Sequence, residues 1–480
     1  MLKNTILALL LCLCGASGAQ TITNLTHQPP NGAGVAFLLT DGTVVAQGGS
    51  FSDWWKLTPD SAGNYVDGTW SQVASLPSNY SPDAFASAVL ADGRVVITGG
   101  EYNFGNFVLT NLGAIYDPVA NTWTALTAPS GWSTIGDSPS AVLPDGTFLV
   151  GQKLTTNVAR LDPKTLTWTN LTSTGKNDFN AEEGWTLMPN GTILTADVKG
   201  APQSEIYNVT TGAWTSAGST IVDLHAPTTV IGCLHYPGGC YYPPGEIGPQ
   251  ILRPDGTVFV TGGTPKGGNS GHTSVYHPAI AGHAATWVVG PDFPTGDDAA
   301  DNSAVLLPSG NVLVAGSNTG SLYEFNGTTL TVTSQAGYVP ILMLPNGQAL
   351  IESGAAVGLY TPTGTPKSAW KPAITSFPTS VNHGSMYTIS GRRFNGMSQA
   401  AAFGDEFQTA TNYPLLRIKN KLSGHVFYLR THDHSSMGVA TGATIVSTSF
   451  DVPSTIETGA CTMQVIANGI ASPAVHIVIN

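Results

Sequence analysis

The sequence predicts an all-β protein: seven four-stranded units closed into a ring, followed by a smaller β-sandwich domain. Two observations lead there. A hairpin recurs seven times, with its turn glycine at Gly42, Gly93, Gly146, Gly191, Gly256, Gly310 and Gly347, at intervals averaging about 50 residues. Charged residues make up only 10% of the chain, whereas Gly numbers 56 and Pro 32, which suits many turns and few salt-bridged helices.

The clearest copy runs from Ala88 to Gly100. An apolar run meets Asp92-Gly93, and the β-branched run Val95-Val96-Ile97-Thr98 ends in Gly99-Gly100. Asp-Gly between such runs is the strongest local hairpin signal, and the expected primed turn has positive φ at both central residues. A third strand ends in a Tyr-Asp-Pro-like turn, as at Tyr116-Asp117-Pro118 and Tyr276-His277-Pro278. A fourth carries Trp70, Trp123, Trp168, Trp214 or Trp287, expected to pack between neighbouring units. One such unit cannot bury both faces alone, so units stack around an axis, and the period is that of kelch-type propeller blades. A seven-bladed propeller is thus expected over 20–361, closed by a strand borrowed from the segment after Gln20. Residues 362–372 read as a linker rich in Thr, Pro and Gly. Short alternating runs over 373–480 predict an immunoglobulin-like sandwich.

Residues 1–19 read as a secretory signal: Lys3, an apolar run from Ile6 to Cys14, then Ser17-Gly18-Ala19. The expected location is extracellular, periplasmic or at the cell surface, and no later stretch is long enough to span a membrane. Export favours a disulfide between Cys233 and Cys240, while Cys461 is expected as a buried thiol. The formal net charge of −12 speaks against nucleic acid as a partner. A monomer is expected. The loop around Cys233 and the pair Trp54-Trp55 are outliers to the repeat. Such insertions often form binding loops, so these aromatics either stack on sugar rings of a glycan or cell-surface ligand, or simply pack the loop.

A kelch-type ring followed by such a sandwich resembles the galactose oxidase and glyoxal oxidase family. The runs Thr411-Asn412-Tyr413-Pro414 and Thr431-His432-Asp433-His434-Ser435-Ser436-Met437-Gly438 look like that family's C-terminal domain. The resemblance implies a copper ion on the axis, held by two Tyr and two His, with one Tyr cross-linked to Cys and a Trp above. Thr431-His432 matches one family His. Gly337-Tyr338 stand where the adjacent Tyr-His pair belongs, Ala84-Phe85 where the cross-linked Tyr belongs, and the first unit has no Cys. The resemblance therefore implies the scaffold without copper-radical oxidase chemistry.

Counting back eight or nine residues from each turn reaches the start of the innermost strand. Asp83, Asp137, Glu182 (with Glu183 next), Glu246 and Asp301 stand there. In the resembling family that level is the mouth of the central channel, and Tyr338 joins this candidate binding group. Carboxylates crowded around one axis either hold protons or are neutralised by a cation. Oxygen ligands suit Ca²⁺; with His432 or His434 as further ligands the site would suit Zn²⁺. A solvated rim is the plain alternative. An extracellular enzyme acting on a glycan through an axial His/carboxylate site is a third, either a hydrolase or lyase using two carboxylates or an altered metal-dependent oxidase.

Overall fold

The computed structural model describes residues 20–228, 232–236, 239–241, 243–280, 282–335, 341–353, 356–403 and 406–480. Residues 1–19, Gly337 and Tyr338 lie outside them. Among the described residues there is no α-helix; one 3₁₀ turn, Ser368–Trp370, interrupts an otherwise β chain.

Seven antiparallel sheets share one plan among the described residues. The first runs Ala36–Leu38, Val44–Gln47, Trp54–Thr58, Thr69–Val73, each strand paired with the next. The others begin at Ala86–Val89, Ser140–Val142, Thr186–Leu187, Ile247–Leu252, Ser303–Leu306 and Leu342–Met343. The first strands of the first to third sheets, and those of the fourth to seventh, touch in turn, and that of the seventh sheet lies beside that of the first. The borrowed strand is Thr21–Asn24. It forms the outer edge of the seventh sheet, with Thr21 opposite Thr361, which joins the two ends of this region.

The turns differ from the expected primed type. Gly42, Gly93, Gly146, Gly191, Gly256, Gly310 and Gly347 all have φ between 76° and 90°, but the preceding Asp, Asn or Ser does not have positive φ. Gly42 N–H donates to Leu39 O, and Leu39 N–H to Thr43 O. This is a type I turn followed by one left-handed residue, so a single glycine suffices. The Asp supplies the rest: Oδ1 of Asp41, Asp92 and Asp145 each accepts the N–H two residues on, at 3.0 Å.

The tryptophans pack between sheets as expected. Each lies beside a residue of its own third strand, as Tyr116 beside Trp123 with centroids 5.1 Å apart. Its indole N–H reaches back to the preceding sheet: Trp123 donates to Ala74 O (2.9 Å), Trp287 to Ala217 O (3.0 Å). In four of the five the side chain thus contributes apolar burial and satisfies a backbone carbonyl together, while Trp214 donates to Ser173 Oγ (2.8 Å).

Residues 373–480 form two further sheets. Ala373–Ser376, Met386–Arg392, Ile445–Asp451 and Thr431–His432 make one; Val475–Ile479, Gly459–Ala467, Leu415–Asn420 and Val426–Leu429 lead the other. Ile389, Leu416, Phe450, Met463 and Cys461 fill the core between them. One stretch of this region leaves it for the ring. Ala401–Phe403 adds a fifth strand to the sixth sheet, antiparallel to Ser303–Leu306. Around it, Leu187 N–H donates to Gln399 Oε1 (3.1 Å), Leu306 N–H to Ala400 O (2.8 Å), and Gln408 N–H to Ser87 Oγ (3.1 Å). The Tyr413 hydroxyl donates to Leu38 O. These partners lie on the first strands of four different sheets, so the stretch runs through the hub where those strands meet.

Candidate functional site

The acids sit just before the first strands, at the end away from the Asp-Gly turns. The backbone there is unusual: Ala84 (beside Asp83), Glu182 and Asp301 have φ of 50°, 55° and 50°. A non-glycine residue in this region costs about 1–3 kcal/mol, and such residues cluster at functional sites. The three stand at the same distance from their turns, so one left-handed bend recurs in the second, fourth and sixth sheets, at the acid itself in two of them and one residue after Asp83 in the second.

The cation at this level comes from the chain itself. Lys153 is fully buried, and its ammonium is ion-paired with Asp137 Oδ2 and with Glu182 Oε1 (2.7 Å). It takes the position at these two carboxylates that the sequence reading gave to a metal ion. Glu101, on the loop after the second strand of sheet two, joins the group. Burial raises its carboxyl above the ordinary range; Lys153 opposes this, and Glu182, Asp301 and Asp83 add to it. Burial likewise raises Asp83. Asp301 is reached by solvent yet surrounded by protein, which with Glu182 pushes its carboxyl up to about 6 against the pull of Lys153. Tyr102, paired across strands with Asp83, is pushed up to about 12, mainly by desolvation. Carboxyls with raised proton affinity thus stand beside an ion-paired Lys–Asp–Glu group.

Two hairpins approach above this group. Tyr102–Asn103 pairs with Asn106–Phe107 and with Pro82–Asp83; Leu234–Tyr236 pairs with Gly239–Tyr241. The rings of Phe107 and Tyr236 meet edge to face at 6.4 Å. The Cys233–Cys240 disulfide closes the second hairpin, as expected.

Other candidates lie elsewhere. Glu183 turns from the hub to Lys176 Nζ (3.1 Å) and accepts from Trp185 Nε1 (3.1 Å). Glu246 is half-buried and exchanges two backbone hydrogen bonds with Ala226. Trp54 corrects the sugar-stacking expectation. It is 0% exposed, on the third strand of the first sheet, against Phe37 (6.1 Å) and Trp123 (5.1 Å). Strand alternation turned it inward. Trp55 points the other way, half-buried, donating from Nε1 to Asp53 (2.7 Å).

The histidines stand at the opposite end of the ring. His434 N–H donates to Ala91 O (3.2 Å), Thr431 N–H to Thr40 O (3.2 Å), and Met437 N–H to Pro144 O (3.0 Å), all at the Asp-Gly turns. His432 is bonded to Asp433 (2.7 Å) and Asp451 (3.3 Å). His434 is buried, shares a hydrogen bond with Thr448 (2.9 Å), and is pushed down to about 3, first by burial and then by His432. The length of the first strands separates both from the acids, and the described residues 399–403 and 406–413 occupy the path expected for them. Phe85, which stands where the resembling family has its cross-linked Tyr, packs edge-on against Phe407 at 4.8 Å. These residues do not fit an axial copper held by Tyr and His. Among the described residues, no three His, Cys, Asp or Glu converge as a metal site.

Lys153, Glu101 and the 399–413 stretch escaped sequence reasoning. A signal for Lys153 existed: Gln152-Lys153 stands where the second strands of other units end in Gly-Gly, as at Gly48-Gly49 and Gly99-Gly100.

Glu183 carries a pH prediction. Burial, augmented by Asp178 and Asp197 and opposed by Lys176, pushes its carboxyl from near 4.5 to about 8. The folded chain therefore holds a proton that the unfolded chain releases between those values. The stabilisation from this group is full below the lower value and is lost as pH rises to the upper one. Glu183→Gln should flatten that decline, read as thermal midpoints across the interval.

No family model matches the chain. A kelch-like protein, terF, of Aspergillus terreus is 28% identical over 99 residues, which is 20% of this chain and 20% of that protein. A galactose oxidase of Gibberella zeae is 26% identical over 242 residues, 47% of this chain and 33% of that enzyme. The matches thus span a third or less of these curated relatives. A solved fungal alcohol oxidase of the AA5 family, in complex with copper, superposes over 97% of this chain and 100% of its own, with a TM-score of 0.50 and 15% identity. That likeness concerns the fold. Taken with the seven-fold hairpin plan and the inter-sheet tryptophans, these matches establish that the chain carries a galactose oxidase-like scaffold of kelch repeats in a β-propeller.

Proposed function

We propose that this is an exported protein, a seven-bladed propeller with an immunoglobulin-like C-terminal domain, that binds a carbohydrate or cell-surface ligand at the acidic hub and performs no copper-radical oxidation. The observation that carries the reading is the buried Lys153 ion-paired with Asp137 and Glu182, beside Asp83, Glu101 and Asp301. Carboxylates accept strong hydrogen bonds from sugar hydroxyls. The strained bends at Ala84, Glu182 and Asp301 hold such acceptors in place. The Phe107–Tyr236 contact supports a partly roofed mouth with aromatic edges. The disulfide supports export.

A second reading makes the hub an enzyme acting on a glycan. It is favoured by Asp301, whose carboxyl at about 6 suits a general acid, near a Glu182 held in an ion pair. Glycan-array binding by the purified protein tests the first reading. Asp301→Asn and Glu101→Gln should each weaken binding about tenfold or more, as expected for losing a hydrogen bond to a charged group, without changing the thermal midpoint. Cleavage of the bound glycan would select the second reading. Copper-dependent hydrogen peroxide release from primary alcohols would sink both.

A further inference from the structure

A second polar cavity lies on the fourth sheet, apart from the hub. Its volume is about 350 Å³, within the range of small-ligand sites, and Asn177, Asp197, Ser204, Glu205 and Ser216 contribute to its lining. Beneath it Lys176 is fully buried, bonded to Glu183 and Glu205 at 3.1 Å each, with its ammonium 4.1 Å from the Trp214 ring centroid. That lysine is fully engaged by two carboxylates and a π face. Asp197 is not. It is 1% exposed, its Oδ2 has a long bond from Asn177 Nδ2 (3.4 Å), and its Oδ1 accepts no hydrogen bond among the described residues. A buried carboxylate oxygen without a donor is costly, and a ligand that brings one relieves it.

We propose that this cavity is a binding site for an organic ammonium group, received by Asp197. With Glu183 holding its proton, three further acids, Asp178, Asp197 and Glu205, still surround the single ammonium of Lys176. An added cation therefore completes the charge balance. A divalent metal ion is disfavoured, because Lys176 already occupies the cluster and no three-ligand metal group converges there among the described residues. A neutral hydroxyl would leave the excess negative charge in place. Asp197 is itself among the residues that line the cavity. Asp197 is pushed up to about 7 by burial and Glu205, with Lys176 opposing and Asp178 adding. Among the other groups packed near it are Glu183 and, on the adjoining loop, Lys199. An ammonium ligand favours the ionised carboxylate, so its affinity falls by up to about tenfold per pH unit below that value.

Calorimetric titration of the full chain with glucosamine, cadaverine and N-acetylglucosamine tests this. Binding of glucosamine or cadaverine, lost in Asp197→Asn and weakened on acidification, supports the site, and the tighter of the two names the carrier of the ammonium. Ser216→Gln, an exposed outer-strand change that narrows the cavity without removing a charge, should also abolish binding while the fold is kept. N-acetylglucosamine, which lacks the charge, should not bind here. Equal binding of N-acetylglucosamine that is lost in Asp197→Asn, cadaverine binding that survives Asp197→Asn, or no amine binding at millimolar concentration would overturn the proposal. The outcome is independent of the hub, whose variants Asp301→Asn and Glu101→Gln are read on glycans.

Discussion

Lys153→Met is expected to lower the stability of the folded chain by about 3–5 kcal/mol, the penalty for removing one partner of a buried ion pair. The ammonium is ion-paired with both Asp137 and Glu182, and all three side chains are almost wholly buried. Without it, two carboxylates face each other in the protein interior, and each must take up a proton or go unpaired. The triple variant Lys153→Met, Asp137→Asn, Glu182→Gln should recover most of the loss, because no uncompensated charge remains. Urea denaturation of the three proteins at neutral pH checks this. An unchanged midpoint in Lys153→Met would show that the ammonium is not the counter-ion of the hub.

Trp54→Ala should cost about 3–5 kcal/mol, as for other large-to-small changes in a packed core. Its ring fills the space between the first and second sheets, against Phe37 and Trp123. Trp55→Ala removes a half-buried ring and one bond to Asp53, so about 1 kcal/mol is expected. Denaturant midpoints separate the two variants. At temperatures where Trp54→Ala stays folded, its glycan binding should equal that of the parent chain. Loss of binding with an unchanged midpoint would mean that the indole reaches ligand.

Much of the fold was legible in the chain because its signals are local. Asp-Gly turns, alternating strands and a Trp on each of five outer strands need only neighbouring residues, and all seven turn glycines adopt the left-handed conformation. The turn type was misread, since the Asp side chain closes the turn and one glycine is enough. The acids before the first strands were legible from the same counting, and Asp83, Asp137, Glu182 and Asp301 do share one electrostatic environment with Glu101 and Lys153. Glu183 was not separable from Glu182 by counting, because adjacent residues point to different surroundings. The histidines were placed by analogy along the axis, where the hydrogen bonds of residues 399–403 and 406–413 show a different stretch.

The sequence by itself determined the repeating unit, its number of turns, the stapled loop and the height at which the acids stand. These follow from backbone preferences and side-chain alternation, which act over a few residues. Only the tertiary structure decided which charges meet: Lys153 with Asp137 and Glu182, Lys176 with Glu183 and Glu205, and His432 with Asp451. Electrostatic partners and burial depend on distances across sheets, and a linear chain carries no record of those distances until it closes.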